Sequence, residues 1–165
     1  MIFGIILIIG FVIIDFVTKR LASFYLKSPL KNIVVIKELF ELSYYENKGA
    51  SLGIFEGQMI FFMIVTVVAL AIFIYLFLSV DFKNKKAYSV AITLFIAGTI
   101  GNAIDRLLLG YVIDFMHFPF LSYILDIFKL SNFYNNMADM YLTVAVILFA
   151  IDLIFSNKKV HHEKN

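Results

Sequence analysis

Four long apolar stretches, separated by more polar segments, dominate the hydrophobic pattern of this chain. They cover residues 2–26, 59–80, 87–107 and 139–155. A helix needs about 20 predominantly apolar residues to cross the hydrocarbon core of a bilayer. The pattern therefore predicts an all-α membrane protein with four transmembrane helices.

The segment between the first two apolar stretches, residues 27–58, has a different pattern. β-Branched and aromatic residues cluster at 32–36 and 39–45, which is typical of short strands. Residues 47–53 follow with two glycines, where the backbone can turn tightly or approach another chain closely. We expect a small extracytoplasmic β-sheet in this first outer loop, and we interpret residues 108–138 as a second outer loop.

Composition places the chain in a membrane and excludes several kinds of chemistry. Hydrophobic residues make up 62% of the 165 residues, and the mean hydropathy of +0.92 exceeds what a soluble domain of this size can bury. The absence of cysteine excludes disulfides, thiolate nucleophiles and thiolate metal sites. No histidine spacing suits a metal, and no repeat or linker divides the chain. We expect one domain over residues 1–165, without metal, cofactor or nucleic-acid partner.

Basic residues in the loops predict the orientation of the helices. Short cytoplasmic loops carry an excess of lysine and arginine. Lysines cluster between the second and third apolar stretches and at the end of the chain, at Lys83, Lys85, Lys86, Lys158, Lys159 and Lys164. Both termini are therefore predicted to be cytoplasmic, and the two long loops to face outward.

Two aspartates at the edges of apolar segments are the first candidates for chemistry. A carboxylate at membrane depth costs about 2.5 to 3.5 kcal/mol, so it is usually retained for function or for a paired structural role. Asp114 is flanked by apolar residues, which would shield its carboxyl group from water and so raise its pKa. The alternative is that Asp114 is a solvated carboxylate at the membrane interface. Asp139 follows Asn136 at the spacing of a helix-capping pair, so capping alone could also explain it.

Further polar residues lie inside predicted helices. Asn102 shares a helix face with Asp105 and Arg106, three and four residues on, so these groups would point together into the bundle. They could satisfy one another there or act on a substrate, with Asp105 in a supporting role. Asp15 and Lys19 are one turn apart, and we expect them to form a structural ion pair.

Five ordered blocks of sequence carry a resemblance to a known family. They are residues 15–19, 47–53, 101–106, 112–115 and 136–139. With these blocks the chain resembles the lipoprotein signal peptidases, also called signal peptidase II. Members of that family are four-helix aspartyl endopeptidases of the bacterial inner membrane. Their substrates are prolipoproteins already modified with diacylglycerol on a cysteine, and cleavage falls just before that cysteine.

The resemblance implies a role for each matching residue. Asp114 and Asp139 would be the catalytic pair, which activates a water molecule while sharing one proton. The chain would work as a monomer in membrane lipid, with its active site toward the outer leaflet and residues 47–53 closing over the cleavage site. Residues that would bind the substrate or support the pair are Asn47, Gly49, Asn102, Arg106 and Asn136.

Two other functions fit the polar residues considered alone. In a small proton-coupled transporter component, Asp15, Asp114 and Asp139 would form a proton relay. In a membrane assembly factor, the outer sheet would bind a partner protein. The first predicts flux driven by a pH gradient, and the second predicts tolerance of Asp114→Asn.

Overall fold

The computed structural model of the chain describes the backbone of residues 1–28, 31–49, 58–127 and 133–162, with side chains up to residue 155. The helices and strands in these residues are, in chain order, α1 (Ile2–Leu26), β1 (Ile33–Ile36), β2 (Phe40–Asn47), α2 (Met59–Phe77), α3 (Lys86–Leu109), β3 (Val112–His117), α4 (Pro119–Ile127), β4 (Tyr134–Asn135) and α5 (Met137–His162).

The four predicted transmembrane helices are confirmed. α1, α2, α3 and α5 up to Phe155 are each long and apolar enough to cross a membrane. Their ends differ slightly from the prediction, since α2 stops at Phe77 and α5 begins at Met137. α3 ends where Gly110 adopts a left-handed conformation, with φ of 82°, and its N–H donates to Arg106 O at 3.1 Å. Glycine adopts this conformation without steric cost.

The small antiparallel sheet has four strands in the order β1-β2-β3-β4. β1 and β2 come from the first outer loop, as predicted, but β3 and β4 come from residues 108–138. The interpretation of that region as a plain loop was therefore incomplete, because it also contains α4. β3 is buried along almost its whole length, so it lacks the alternation of apolar and polar residues by which a half-buried strand is found.

α3 is the central helix of the bundle. More than half of its membrane-spanning window is buried inside the protein, whereas most of α1, α2 and α5 faces outward. Two glycines permit close helix packing. A Cβ atom at Gly98 would lie 2.7 Å from the carbonyl oxygen of Ala138, and one at Gly101 would lie 2.5 Å from Asp15 Oδ2. Small residues at such positions let membrane helices approach closely.

The sheet packs over the ends of the helices that carry polar residues. Ala22 and Leu26 at the end of α1 form a buried cluster with Phe115 and Met116 of β3. In the pairing of β2 with β3, Tyr45 lies opposite Asp114 and Asn47 opposite Val112. β3 therefore brings Asp114 to the end of the bundle where α3 ends and α5 begins.

Candidate active site

Asp114 is held on β3 by two asparagine side chains from different parts of the chain. It is fully buried, with 0% of its surface exposed. Asn47 Nδ2, at the end of β2, donates to Asp114 Oδ2 at 2.8 Å, and Asn136 Nδ2 donates to Asp114 Oδ1 at 2.6 Å. Both carboxyl oxygens therefore accept an amide hydrogen, which fixes the orientation of the group.

Asp139 lies in the first turn of α5 and is partly exposed. Asn102 Nδ2 of α3 donates to Asp139 Oδ1 at 2.8 Å, and the backbone N–H of Asn136 donates to Asp139 Oδ2 at 3.2 Å. In return, the N–H of Asp139 donates to Asn136 Oδ1 at 3.0 Å. This reciprocal pair of hydrogen bonds caps the helix, so the geometry predicted for a capping role of Asp139 is present. Capping uses only Oδ2, and Oδ1 of Asp139 binds Asn102.

Asn136 connects the two carboxyl groups. Its Nδ2 donates to Asp114 and also to Asn102 Oδ1, the latter at 3.1 Å, while its backbone N–H and side-chain oxygen both bond Asp139. Asp114 and Asp139 thus belong to one hydrogen-bonded group built from the end of α3, strand β3 and the start of α5.

The surroundings of Asp114 favour its protonated form. Burial in a region of low polarity, followed by the charge of the neighbouring Asp139, raises the pKa of Asp114 to about 8. The amide donors Asn47 and Asn136 oppose this shift without reversing it. A carboxyl group in this setting retains a proton at neutral pH.

A second group of charges lies directly beneath the two aspartates. Lys19 is fully buried, and its Nζ lies 2.8 Å from Asp15 Oδ2 and 3.4 Å from Asp105 Oδ2. The predicted ion pair of Asp15 with Lys19 is therefore present. Lys19 also donates to Asn102 Oδ1 at 2.9 Å, so it contacts a residue that bonds Asp139.

Asp105 anchors β3 to α3. Its Oδ2 accepts the backbone N–H of Ile113, next to Asp114, at 3.1 Å. Its Oδ1 pairs with Arg20. A carboxylate partner lowers the cost of burying the charged guanidinium group, and a third of the Arg20 side chain stays exposed.

Arg106 and Asn47 hold the described end of the predicted closing segment. Arg106 donates to the carbonyl oxygen of Gly49 at 3.3 Å, and the N–H of Gly49 donates to Asn47 Oδ1 at 2.9 Å. The guanidinium also lies over the ring of Phe62, 4.8 Å from its centre. The rest of this segment, including Ser51, Leu52 and Gly53, lies outside the described residues.

All ten site residues selected from the sequence meet in this one region. They are Asp15, Lys19, Asn47, Gly49, Asn102, Asp105, Arg106, Asp114, Asn136 and Asp139. Two of the links in this region were not predicted from the sequence, those from Lys19 to Asn102 and from Arg20 to Asp105. The sequence did show two cations, Lys19 and Arg20, beside a single carboxylate, Asp15, on α1. Only the packing of α1 against α3 identifies the partners of the two cations.

Two aspartates held by amide donors at one end of a transmembrane bundle are the arrangement expected of an aspartic hydrolase. Such a pair activates water by sharing a single proton. Within the described parts of the chain, no group of three or more histidine, aspartate or glutamate side chains is placed to hold a metal ion.

Comparison with known proteins identifies the family. A sequence profile described as Signal peptidase (SPase) II matches residues 7–155. A lipoprotein signal peptidase of Caldanaerobacter subterraneus is 35% identical over 151 residues, covering 91% of this chain and 95% of the relative. One of Staphylococcus aureus is 39% identical over 157 residues, covering 93% and 91%. The chain belongs to the lipoprotein signal peptidase family, and it is therefore a peptidase.

Solved structures agree with this result. Two bacterial membrane enzymes share the fold. The first has a TM-score of 0.76 at 32% identity, and the match covers 94% of this chain and 90% of the enzyme. The second has a TM-score of 0.71 at 34% identity, and the match covers 91% of both chains. The protein is thus a multi-pass bacterial membrane enzyme. These findings confirm the family resemblance and favour a peptidase over the proton-coupled transporter and the assembly factor.

Proposed function

We propose that the protein removes the signal peptide from diacylglyceryl-modified prolipoproteins by cutting just before the lipidated cysteine, with Asp114 and Asp139 as the catalytic pair. The observation that carries the proposal is the connection of both carboxyl groups through Asn136, in a polar cluster at one end of an otherwise apolar bundle. Membership of the lipoprotein signal peptidase family supports the choice of substrate.

The charges around the pair support a single shared proton. Lys19, Arg20 and Arg106 are cations, while Asp15 and Asp105 are the carboxylates outside the pair. One negative charge on the catalytic pair then makes the cluster neutral, which is the least costly state for groups removed from water. Burial and the raised pKa of Asp114 favour placing the proton there, which leaves Asp139 as the carboxylate.

In the proposed reaction, Asp139 accepts a proton from a water molecule whose oxygen attacks the scissile carbonyl carbon. Asp114 gives its proton to the carbonyl oxygen as that carbon becomes tetrahedral. The intermediate then collapses when the C–N bond breaks and the leaving amine of the cysteine takes the proton held by Asp139, while Asp114 recovers its own. This sequence needs one base and one acid of unequal proton affinity.

Asn47, Gly49 and Arg106 would bind the substrate backbone beside the pair. The side chain of Asn47 connects Asp114 to the N–H of Gly49, and Arg106 fixes the carbonyl oxygen of Gly49. A peptide strand laid against this segment would find fixed backbone groups near Asp114. Closure of the segment over the substrate would exclude bulk water and strengthen the polar contacts.

The site would face the outer leaflet. α1 and α3 end beside it, while α2 and α5 begin there, so the N-terminus and the Lys83, Lys85 and Lys86 region lie at the opposite end of the bundle. A lysine-rich connection is typical of the cytoplasmic side. Because one chain supplies both aspartates and their amide partners, we propose a single-domain enzyme that works as a monomer. Its substrate would enter laterally with the acyl chains in membrane lipid.

The test is cleavage by the purified chain in detergent, using a diacylglyceryl-modified prolipoprotein and the same prolipoprotein without lipid. The wild type should cut the lipidated substrate before its cysteine. Asp114→Asn and Asp139→Asn keep the shape of each side chain and should abolish cleavage. Asp126→Asn, at an exposed aspartate of α4, is the matched control and should retain full activity.

Each failure has a distinct meaning. Equal cleavage of the unlipidated protein would reject the requirement for lipid. Normal activity of either aspartate variant would reject the catalytic pair. A folded wild type that leaves the lipidated substrate intact would reject the proposed function.

A further inference from the structure

Lys19 has a contact that a structural ion pair does not require. Its fully buried ammonium group reaches Asp15 and Asp105 and also donates to Asn102 Oδ1 at 2.9 Å. We propose that Lys19 is a positioning residue for peptide cleavage, acting through Asn102 on the orientation and charge of Asp139. This inference rests on the proposed function and concerns how the same site is kept ready for reaction.

The two ends of the Asn102 amide have different partners. Its oxygen accepts hydrogen bonds from Lys19 Nζ and from Asn136 Nδ2, at 2.9 and 3.1 Å. Its NH₂ group is therefore directed at Asp139 Oδ1, 2.8 Å away. A flipped amide would place N–H groups against an ammonium ion, which has donors and no acceptor. Lys19 and Asn136 thus fix the direction of the amide together, and Lys19 is the charged member of the two donors.

Asp139 faces the donor end of this amide. With the NH₂ group of Asn102 facing it, Asp139 Oδ1 acts as an acceptor, which favours the carboxylate form required of the base. With the amide reversed, the carbonyl oxygen of Asn102 would face Asp139, and a stable contact would require a protonated carboxyl group. The direction of one amide therefore selects which aspartate holds the shared proton.

Charged groups surround Asp139 at different distances. Lys19 bonds Asn102, and Asp114 bonds Asn136, so each is one residue removed from Asp139. Asp15 and Asp105 pair with Lys19, Arg20 pairs with Asp105, and the charge of Arg106 acts on Asp139. Loss of Lys19 would leave carboxylates in excess and would also release Asn102. Both effects disfavour a carboxylate at position 139 and act in the same direction.

The experiment must separate this role from simple neutralisation of Asp15. Lys19→Met alone leaves Asp15 and Asp105 short of a cation and can prevent folding. The double variant Asp15→Asn with Lys19→Met removes one charge of each sign, and an asparagine oxygen can still accept the N–H of Ala138, which Asp15 Oδ1 accepts at 2.8 Å. A second double variant, Asp15→Asn with Lys19→Gln, retains an uncharged N–H donor at position 19.

The measurements are kcat and KM for the lipidated substrate across pH, together with thermal unfolding of each variant. For Asp15→Asn with Lys19→Met we expect kcat to fall about tenfold or more with KM nearly unchanged, because only the reacting groups are misplaced. The acid limb of the pH profile should move upward by about one pH unit. The variant with glutamine should recover part of the rate.

A double-mutant cycle tests the route through Asn102. In an Asn102→Ala background, the changes at positions 15 and 19 should cause no further loss of rate, because the residue through which Lys19 acts is gone. Additive losses would overturn the proposal.

The proposal also fails if the folded Asp15→Asn, Lys19→Met variant keeps the wild-type kcat and the wild-type acid limb, since Lys19 would then serve only to neutralise Asp15. Failure of the proposed function looks different, because the folded wild type itself would then not cut the lipidated substrate.

Discussion

Replacing Asn136 by alanine tests the central connection of the site. The variant removes three side-chain hydrogen bonds, to Asp114, to Asn102 and from the N–H of Asp139. Side-chain hydrogen bonds in membrane proteins contribute about 0.6 kcal/mol on average, and bonds in soluble proteins about 0.5 to 1.5 kcal/mol. The expected loss in the free energy of unfolding is therefore about 2 to 4 kcal/mol.

Activity should fall more steeply than stability. Without the Asn136 side chain, the direct bridge between the two carboxyl groups is lost, and a displacement of about 1 Å in a reacting group can cost about 100-fold in rate. The assays are thermal unfolding in detergent and cleavage of the lipidated prolipoprotein at a temperature where the variant remains folded. For a chain of this length, the loss of stability corresponds to a fall in Tm of about 5 to 15 °C.

Asn135 provides a matched control. It is the same residue type, adjacent in sequence and buried, but its Nδ2 has no hydrogen-bond partner among the described residues. Asn135→Ala should therefore change stability and rate much less than Asn136→Ala does. Equal effects of the two substitutions on rate would refute the reasoning that Asn136 holds the catalytic pair together.

Three further predictions follow from the fold and the site. Because the pKa of Asp114 is raised to about 8, the rate of cleavage should fall above about pH 8 as the pair loses its shared proton. A rate of cleavage that stays constant between pH 7 and 10 would contradict this prediction. For the same reason, the contribution of Asp114 to stability should fall as pH rises from about 4 to 8, which unfolding measured at several pH values would show. Gly98→Ala would place a Cβ atom 2.7 Å from the carbonyl oxygen of Ala138 and should destabilise the bundle by about 1 to 3 kcal/mol, whereas Gly10→Ala, with open space around it, should be neutral or slightly stabilising in the same unfolding assay. Ser122→Ala should cost about 1 to 2 kcal/mol in thermal unfolding, because Ser122 Oγ accepts the N–H of Phe133 at 3.0 Å and lies 3.0 Å from His117 Nε2; an unchanged Tm would show that these contacts do not hold α4 in place.

The helices and the two strands of the first outer loop were accessible from sequence because their signals are local. A run of about 20 apolar residues has few alternatives to a transmembrane helix. The capping pair of Asn136 and Asp139 is similarly local, since it spans three residues and appears intact in the structure. The ion pair of Asp15 with Lys19 needs only one helical turn.

The strand β3 and helix α4 were not accessible in the same way. β3 is buried on both faces, so its sequence carries no alternation, and its strand conformation depends on pairing with β2, about 70 residues earlier in the chain. α4 occupies a region that the sequence presents only as a long connection between two aspartates.

The sequence by itself determined the membrane setting, the four spans and the set of polar residues, because each follows from hydropathy or from motifs read along the chain. Only the tertiary structure decided how those residues are joined. Asp114 and Asp139 meet because β3 packs over the ends of α3 and α5, and Lys19 reaches Asn102 because Gly101 lets α3 approach α1 closely. Hydrogen bonds between distant segments depend on distances of a few tenths of an ångström, which packing fixes and local sequence patterns do not contain.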